Sequence, residues 1–311
     1  MLTQRCRYAP TPSGPAHPGT LLAGLLCWLD ARSRGAELLL RLEDVDTARC
    51  TPELADEMQR ALDWLGLDWD EVTIQSSRRL AHEAALDALA ERRLLYPCGC
   101  SRSHVRSAGT RAADGGWRYP GTCRERALPA GGWRASAEAL RLRLPAGRVD
   151  CADEGGMALL DNPAAALGDP VLRRRDGAIA YHLAVVVDDA NAAITRVVRG
   201  RDLAPLTAIQ RVLQRALGLS PPTYRHHLLL LEKAGDKLAK LHGAVAWSQL
   251  AERASGAEIC GQLACAAGLL DTPRAATPRE LLPGFAWSQV RSRDQLARWN
   301  GSELVFAQAS L

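Results

Sequence analysis

The basic residues of this chain are unevenly distributed in kind. Of 39 lysines and arginines, 36 are arginine, and the three lysines, Lys233, Lys237 and Lys240, fall in one eight-residue window. A chain that uses arginine wherever a generic positive charge will do has placed its ammonium groups together. A compact point charge on a flexible stem suits a polyphosphate tail. The segment Lys237-Leu238-Ala239-Lys240 follows an apolar strand around His227–Leu231 and the turn-forming Ala234-Gly235-Asp236. It reads as a loop that closes over a triphosphate and neutralises charge growing in the transition state.

A second constellation lies near the start, in Gly14-Pro15-Ala16-His17-Pro18-Gly19-Thr20. It falls between a short strand, Arg7-Tyr8-Ala9-Pro10, and a helix whose leucines 21, 22, 25, 26 and 29 recur at helical spacing. A helix N-terminus offers unpaired amides and partial positive charge, which attract phosphate. Gly14 and Gly19 let a nucleotide approach the backbone, and Pro18 keeps His17 extended, out of the helix. His17 is thereby expected to project over the helix start and donate to a phosphate oxygen.

Nine cysteines, an odd number, follow no apolar export signal, which favours metal binding over a disulfide framework. Cys6, Cys27, Cys151, Cys260 and Cys265 sit in or beside apolar stretches and read as small buried hydrophobes, and Cys50 lies in a polar turn. Cys98-Gly99-Cys100 and Cys123 are different: three thiolates in an arginine-rich segment with little apolar core suit a structural zinc. The residues alone leave the fourth ligand open between His104 and Tyr119.

Elements that position these groups follow from periodicity. Glu37–Leu42 reads as a buried strand ending in the acidic Glu43, Asp44 and Asp46; Pro52 opens a helix reaching Leu65; Val72–Gln75 is a strand and Leu80–Arg93 a helix. Strands alternating with helices predict an α/β fold with a doubly wound parallel sheet of the Rossmann type. The alternation breaks at residue 98. Residues 98–170 read as an inserted module with one alternating strand, Leu140–Leu144, dividing the catalytic fold into 1–97 and 171–245. The apolar segment Ile179–Asp188 resumes it, a helix spans about Leu206–Leu217, and residues 246–311 read as a helical C-terminal region.

Composition sets the outer bounds. The 311 residues suffice for two domains or one with an insertion, and 47% hydrophobic with 24% charged residues excludes a disordered chain or a coiled coil. No apolar run approaches the ~20 residues of a membrane span, so no membrane partner and a cytoplasmic location are expected. A net charge of +4 permits a nucleic-acid partner without requiring one.

Taken in order and spacing, these motifs resemble those of the class I aminoacyl-tRNA synthetases in their glutamyl form. Pro10–Gly19 is similar to the "HIGH" signature, Lys237–Leu241 to the "KMSKS" loop, and Arg41-Leu42-Glu43-Asp44-Val45-Asp46 to the acidic segment after the second strand. The resemblance spans residues 5–245 and is best for the truncated glutamyl-Q tRNA(Asp) synthetase family. It implies glutamate contacts at Arg7, Tyr8, Ala9, Pro10, Thr11, Glu43, Tyr181 and Arg199. The guanidiniums suit the substrate carboxylates and Glu43 the ammonium. It also implies ATP contacts at His17, Gly19 and Lys240, with His17, Lys237 and Lys240 in catalysis. A metal set of Cys98, Cys100, Tyr119 and Cys123 follows from the same resemblance.

The implied cofactors are one structural zinc, with ATP, accompanied by magnesium, as substrate. The implied reaction is tRNA-independent activation of L-glutamate and transfer to the queuosine base in the anticodon loop of tRNA(Asp). Two positions depart from the pattern: Ala239 stands where the loop usually has serine, and Pro18 where isoleucine or phenylalanine is common. Two rival readings remain, a truncated glutamyl-tRNA synthetase charging a tRNA 3′ end and a non-catalytic RNA-binding paralogue. Residues 246–311 are expected to be too few for a separate anticodon-binding domain, against the first. The retained His17, Glu43, Lys237 and Lys240 argue against the second.

Overall fold

The computed structural model describes residues 4–233, 236–237 and 245–308. In chain order the strands are β1 (Arg5–Tyr8), β2 (Glu37–Leu42), β3 (Glu71–Ile74), β4 (Leu95–Cys98), β5 (Ala139–Leu142), β6 (Val171–Arg173), β7 (Arg196–Gly200), β8 (Thr223–His227), β9 (Leu230–Lys233), β10 (Asp236–Lys237), β11 (Gln295–Trp299) and β12 (Leu304–Gln308). The central sheet has the order β3-β2-β1-β7-β8. β1 runs parallel to both β2 and β7, and β2 parallel to β3. The order therefore reverses direction between β1 and β7, the switch point at which open α/β sheets bind ligands.

The chain forms two compact units. The first comprises Met1–Ile74, Thr195–Arg201 and Arg225–Leu311. Its core is built on the helix Pro18–Ser33, whose Leu21, Leu22, Leu25, Leu26 and Leu29 are all at most 1% exposed. This helix is buried on nearly every side because it packs on β1, β2 and β7 and also against the helix Gly256–Ala267. Within it the buried Asp30 accepts from Arg196 Nε at 2.6 Å and Nη2 at 3.0 Å, and from Trp287 Nε1 at 2.6 Å. The two-toothed pairing satisfies both charges, without which burial would be costly.

The second unit comprises Gln75–Ile194 and Asp202–Tyr224. It contains the antiparallel sheet β4-β5-β6 and the mutually packed helices Arg79–Glu91, Tyr181–Asn191 and Thr207–Leu217. Buried Asp188 accepts from Gln75 at 2.8 Å and lies 2.8 Å from His82 Nε2. Buried Asp169 accepts from the Tyr96 hydroxyl at 2.7 Å, from the Leu144 amide at 2.9 Å, and from Arg124.

The structure gives a type to one segment that the sequence left open and adds strands to the sequence reading. Ile179–Asp188 lies mostly in the helix Tyr181–Asn191, whose residues 183–189 are all buried, so the continuous apolar run reflects burial all round. β7 is absent from the pattern-based reading, since Arg196-Val197-Val198-Arg199-Gly200 carries a charge on either side of two valines. The C-terminal region has the expected helices Trp247–Ala251, Gly256–Ala267 and Pro278–Leu281, but adds the hairpin β11–β12. β11 joins β9 in parallel through Leu296 and Leu231, a pairing between segments remote in sequence.

Candidate active site and metal centre

Register decides which side chains share a face. Arg7 lies beside Leu39 of β2, and Cys6 beside Arg196 of β7. With side chains alternating, Cys6, Tyr8, Leu38, Leu40, Leu42 and Val198 fall on one face, the one that packs on the helix Pro18–Ser33. Arg7, Arg41 and Arg199 fall on the opposite face. All three arginines are buried, at 4%, 4% and 6% exposed. Glu43, two residues beyond Arg41, is buried too and accepts from Arg41 Nη2 at 3.1 Å. The Glu43 amide donates to Pro10 O at 3.0 Å, which ties the loop after β2 to the loop after β1.

The expected glutamate residues are thus partly brought together. Arg7, Glu43 and Arg199 meet this description, with Ala9 and Pro10 continuing from β1 and Thr11 exposed. Tyr8 is turned the other way: its hydroxyl donates to Thr20 O at 2.7 Å and its ring stacks on Trp69 at 6.1 Å. Burial pushes its phenol pKa well up. Tyr181 belongs to the second unit, at the first position of its helix.

At the helix start, His17 is extended, as Pro18 requires, and serves as the N-cap. Its Nδ1 accepts from the Gly19 amide at 3.1 Å and the Thr20 amide at 3.4 Å. This corrects the expectation of open amides there: the imidazole itself occupies them. The same geometry places the neutral ring's proton on Nε2, so the donor aimed away from the helix is Nε2–H. Gly19 is needed for this, because a Cβ there would meet His17 Cε1 at 3.0 Å. Lys237 lies in β10, paired with Leu231, while Ala239 and Lys240 fall outside the described residues.

In the second unit the Sγ atoms of Cys98, Cys100 and Cys123 all lie within 4.8 Å of one another. Cys100 and Cys123 are 3.6 Å apart, close to the ~3.8 Å edge of a tetrahedron with ~2.3 Å zinc–sulfur bonds. The Tyr119 oxygen lies 3.5 Å from Cys98 Sγ and 4.0 Å from Cys100 Sγ, and accepts from the Cys123 amide at 2.8 Å. His104 is exposed, with its Nε2 3.4 Å from Thr122 Oγ1. The geometry thus fits a zinc ion held by three sulfurs with the phenol oxygen beside them. Burial disfavours the Cys123 thiolate, yet bonds with Tyr119, Cys100, the Gly99 amide and Arg126 bring its pKa down to about 7. Cys100 is pushed up to about 11, by burial first and then by its bond with Cys123. Gly168, at φ +73°, lets the chain pass Tyr119, whose carbonyl oxygen a Cβ would meet at 2.4 Å.

Comparison with known proteins places this arrangement. Residues 3–258 match the family model of class I tRNA synthetases (E and Q), catalytic domain. A glutamyl-Q tRNA(Asp) synthetase of Bordetella bronchiseptica is 49% identical over 245 residues, 77% of this chain and 76% of the relative. One of Symbiobacterium thermophilum is 41% identical over 305 residues, 91% and 93% of the two chains. The chain belongs to the glutamyl-Q tRNA(Asp) synthetase family. As a member of this family of synthetases, it is a ligase. The fold agrees with the crystal structure of a glutamate tRNA ligase from Elizabethkingia meningosepticum, at a TM-score of 0.75 and 23% identity, covering 93% of this chain and 66% of that one. No described helix is long and apolar enough to cross a membrane.

Two residues of this glutamyl-Q synthetase family member escape a reading of the sequence. Arg41 interrupts the apolar Leu38-Leu39-Leu40-Arg41-Leu42, and a charge inside a buried strand is the available signal. His226 accepts from Arg199 Nε at 3.0 Å. Nothing local distinguishes it from His227, whose Nδ1 turns to the neighbouring Leu228 O at 2.7 Å.

Proposed function

We propose that this enzyme activates L-glutamate with ATP in the absence of tRNA and transfers it to the queuosine base in the anticodon loop of tRNA(Asp). The observation that carries the reading is the sheet face at the switch point, where Arg7, Arg41, Arg199 and Glu43 are buried together. A substrate with two carboxylates and an ammonium suits guanidiniums beside a carboxylate. The relatives' shared name, glutamyl-Q tRNA(Asp) synthetase, supports tRNA(Asp) as the acceptor.

In the first step a carboxylate oxygen of glutamate attacks the α-phosphorus of ATP, and pyrophosphate leaves. Arg7 and Arg199 hold the substrate carboxylates, and the family resemblance assigns Tyr181 to the glutamate as well. Glu43, shared with Arg41, faces the ammonium. His17 Nε2–H donates to a phosphate oxygen, with Gly19 allowing the close approach. Lys237 and Lys240 offset charge on the departing pyrophosphate, with magnesium accompanying the nucleotide. In the second step a cyclopentene-diol hydroxyl of queuosine attacks the mixed-anhydride carbonyl, AMP leaves, and an ester forms. Cys98, Cys100, Cys123 and Tyr119 would hold a zinc, which supplies a structural tie where the local apolar core is small.

Six arginines fall within residues 102–126, among the candidate ligands in sequence, and two of them are committed to structure: Arg124 to Asp169, and Arg126 to Glu138 at 2.8 Å. Arg111 donates from Nη1 to Gly115 O at 3.1 Å and lies over the Trp117 ring, and Arg118 is half-buried, which makes the exposed Arg102 and Arg106 the better pair for RNA phosphates.

The deciding experiment is glutamate-dependent ATP–pyrophosphate exchange without tRNA, followed by transfer of labelled glutamate to tRNA(Asp) with and without queuosine. Exchange without tRNA, and label only on the queuosine-containing tRNA that survives removal of its 3′-terminal nucleotide, is expected. Label on the 3′ end of tRNA(Glu) would favour the truncated glutamyl-tRNA synthetase, and no exchange at all a non-catalytic RNA-binding protein.

A further inference from the structure

Strand β5 and the two residues after it carry the alternation Leu140-Arg141-Leu142-Arg143-Leu144, in which all three leucines are fully buried. The two arginines therefore share the other face. Arg141 sits opposite Tyr96 of β4, and Cys98 is the next residue of β4 on the same face. From there Arg141 Nε donates to Cys98 Sγ at 3.2 Å. Its guanidinium carbon lies 3.7 Å from the centroid of the Tyr119 ring, and Nη1 donates to Asp169 O at 2.6 Å. One guanidinium thus touches a sulfur and the phenol of the candidate metal centre while anchored to the buried backbone. Arg143 does something else. It donates to the carbonyls of Leu95 at 2.7 Å and Arg126 at 2.7 Å and touches none of the four candidate ligands in the described contacts.

Three thiolates around a divalent cation leave a net negative charge, and a buried charge needs a partner. Groups outside the ligands orient them and tune the metal, and their loss typically costs 10–100-fold in affinity. We propose that Arg141 is a positioning residue of the metal centre, fixing Cys98 Sγ and the Tyr119 ring relative to each other and offsetting the charge of the thiolate set. The planar fork matters as well as the charge: lysine offers neither an Nε donor midway along the chain nor a flat face for the ring. The proposal rests on the zinc reading of the cysteine cluster.

The test uses the full chain and zinc alone. Zinc affinity is measured by competition with a chromophoric chelator, cobalt(II) substitution reports the thiolate-to-metal band, and circular dichroism verifies folding. The wild type binding zinc tightly, with Cys98→Ser weakening it, establishes the centre. Arg141→Met should then weaken zinc about 10–100-fold and Arg141→Lys about tenfold, both with a displaced cobalt band. Arg143→Met should lower the melting temperature while the folded protein keeps its zinc affinity. Arg141→Lys with wild-type affinity, or Arg143→Met losing as much zinc as Arg141→Met, overturns the proposal and leaves the metal centre standing. A wild type that binds no zinc overturns both. Should Arg141→Met fail to fold, Arg141→Lys decides alone.

Discussion

Arg199 Nε donates to His226 Nε2 at 3.0 Å, and both side chains are buried, one on β7 and the other on β8. The contact has a directional consequence. A histidine nitrogen that accepts is unprotonated, so the neutral ring of His226 carries its proton on Nδ1. With Nε taken, any two-toothed pairing of Arg199 with a carboxylate runs through Nη1 and Nη2, end-on. His226→Leu should therefore raise KM for glutamate in the exchange reaction by about 10–100-fold, the range for a hydrogen bond to a charged group. KM for ATP should stay unchanged, and His226→Gln, which keeps an acceptor, should recover part of the loss. Equal changes in both constants would mean that His226 only supports the sheet.

His17 has two separable duties. As a cap it satisfies the Gly19 and Thr20 amides through Nδ1, worth about 1 kcal/mol to the helix. As a donor it would act through Nε2. Asparagine is an equally good cap but lacks the second nitrogen. His17→Asn should thus leave the melting temperature near that of the wild type while lowering exchange by about 10²–10³. Gly19→Ala should reduce both, because its Cβ would lie 3.0 Å from His17 Cε1 and 3.2 Å from Nδ1. Stability measured beside exchange rates separates the two effects.

Features written in local patterns are legible in the sequence. The leucine spacing of Pro18–Ser33, the apolar β2 and the His17-Pro18-Gly19 turn each report their own structure within a few residues. Features that depend on remote partners are not. Arg196 and Arg199 mask β7 because their partners, Asp30 and His226, lie far away in sequence. β11 finds its neighbour only in β9. The His17-Pro18 pair places the imidazole over the helix start, but its hold on the amides is a matter of rotamer that spacing cannot express. The sequence leaves the fourth ligand open, since histidine is the commoner one. Here folding brings the Tyr119 oxygen to the sulfurs and turns His104 toward Thr122.

Acid should weaken the first unit through Asp68. Burial acts to raise its pKa, but the Trp28 indole at 2.9 Å and the Arg32 guanidinium at 2.9 Å outweigh that and hold the carboxyl below its ordinary value of 3.8. A carboxyl depressed in the folded state stabilises at pH above its unfolded value, and that contribution is lost as pH falls through the folded one. Asp68→Asn should accordingly be less stable than the wild type at pH 7, with the gap closing below the unfolded carboxyl pKa. Urea midpoints measured from pH 7 down to pH 3 would reveal it; a gap that is constant across the range would assign the effect to packing.

The arginines near the cysteine cluster should divide by what they touch. Arg124 bonds Asp169 and donates from Nη2 to Leu144 O at 2.7 Å, so Arg124→Ala leaves a buried carboxylate short of a partner. It should lower stability and impair every activity together. Arg102 and Arg106 lie exposed on the helix Arg102–Ala108, with no acidic partner among the described ion pairs. Their charge is available to a phosphate backbone, whose binding releases counterions and weakens with salt. Replacing both with glutamine should leave adenylate formation and melting temperature intact. It should raise KM for the RNA in the transfer step and flatten its salt dependence, by about 0.7–0.9 in log–log slope for each phosphate no longer neutralised. Transfer rates titrated with tRNA(Asp) across a range of salt concentrations measure this directly. A double variant that transfers at the wild-type KM and slope would place the RNA on a different surface.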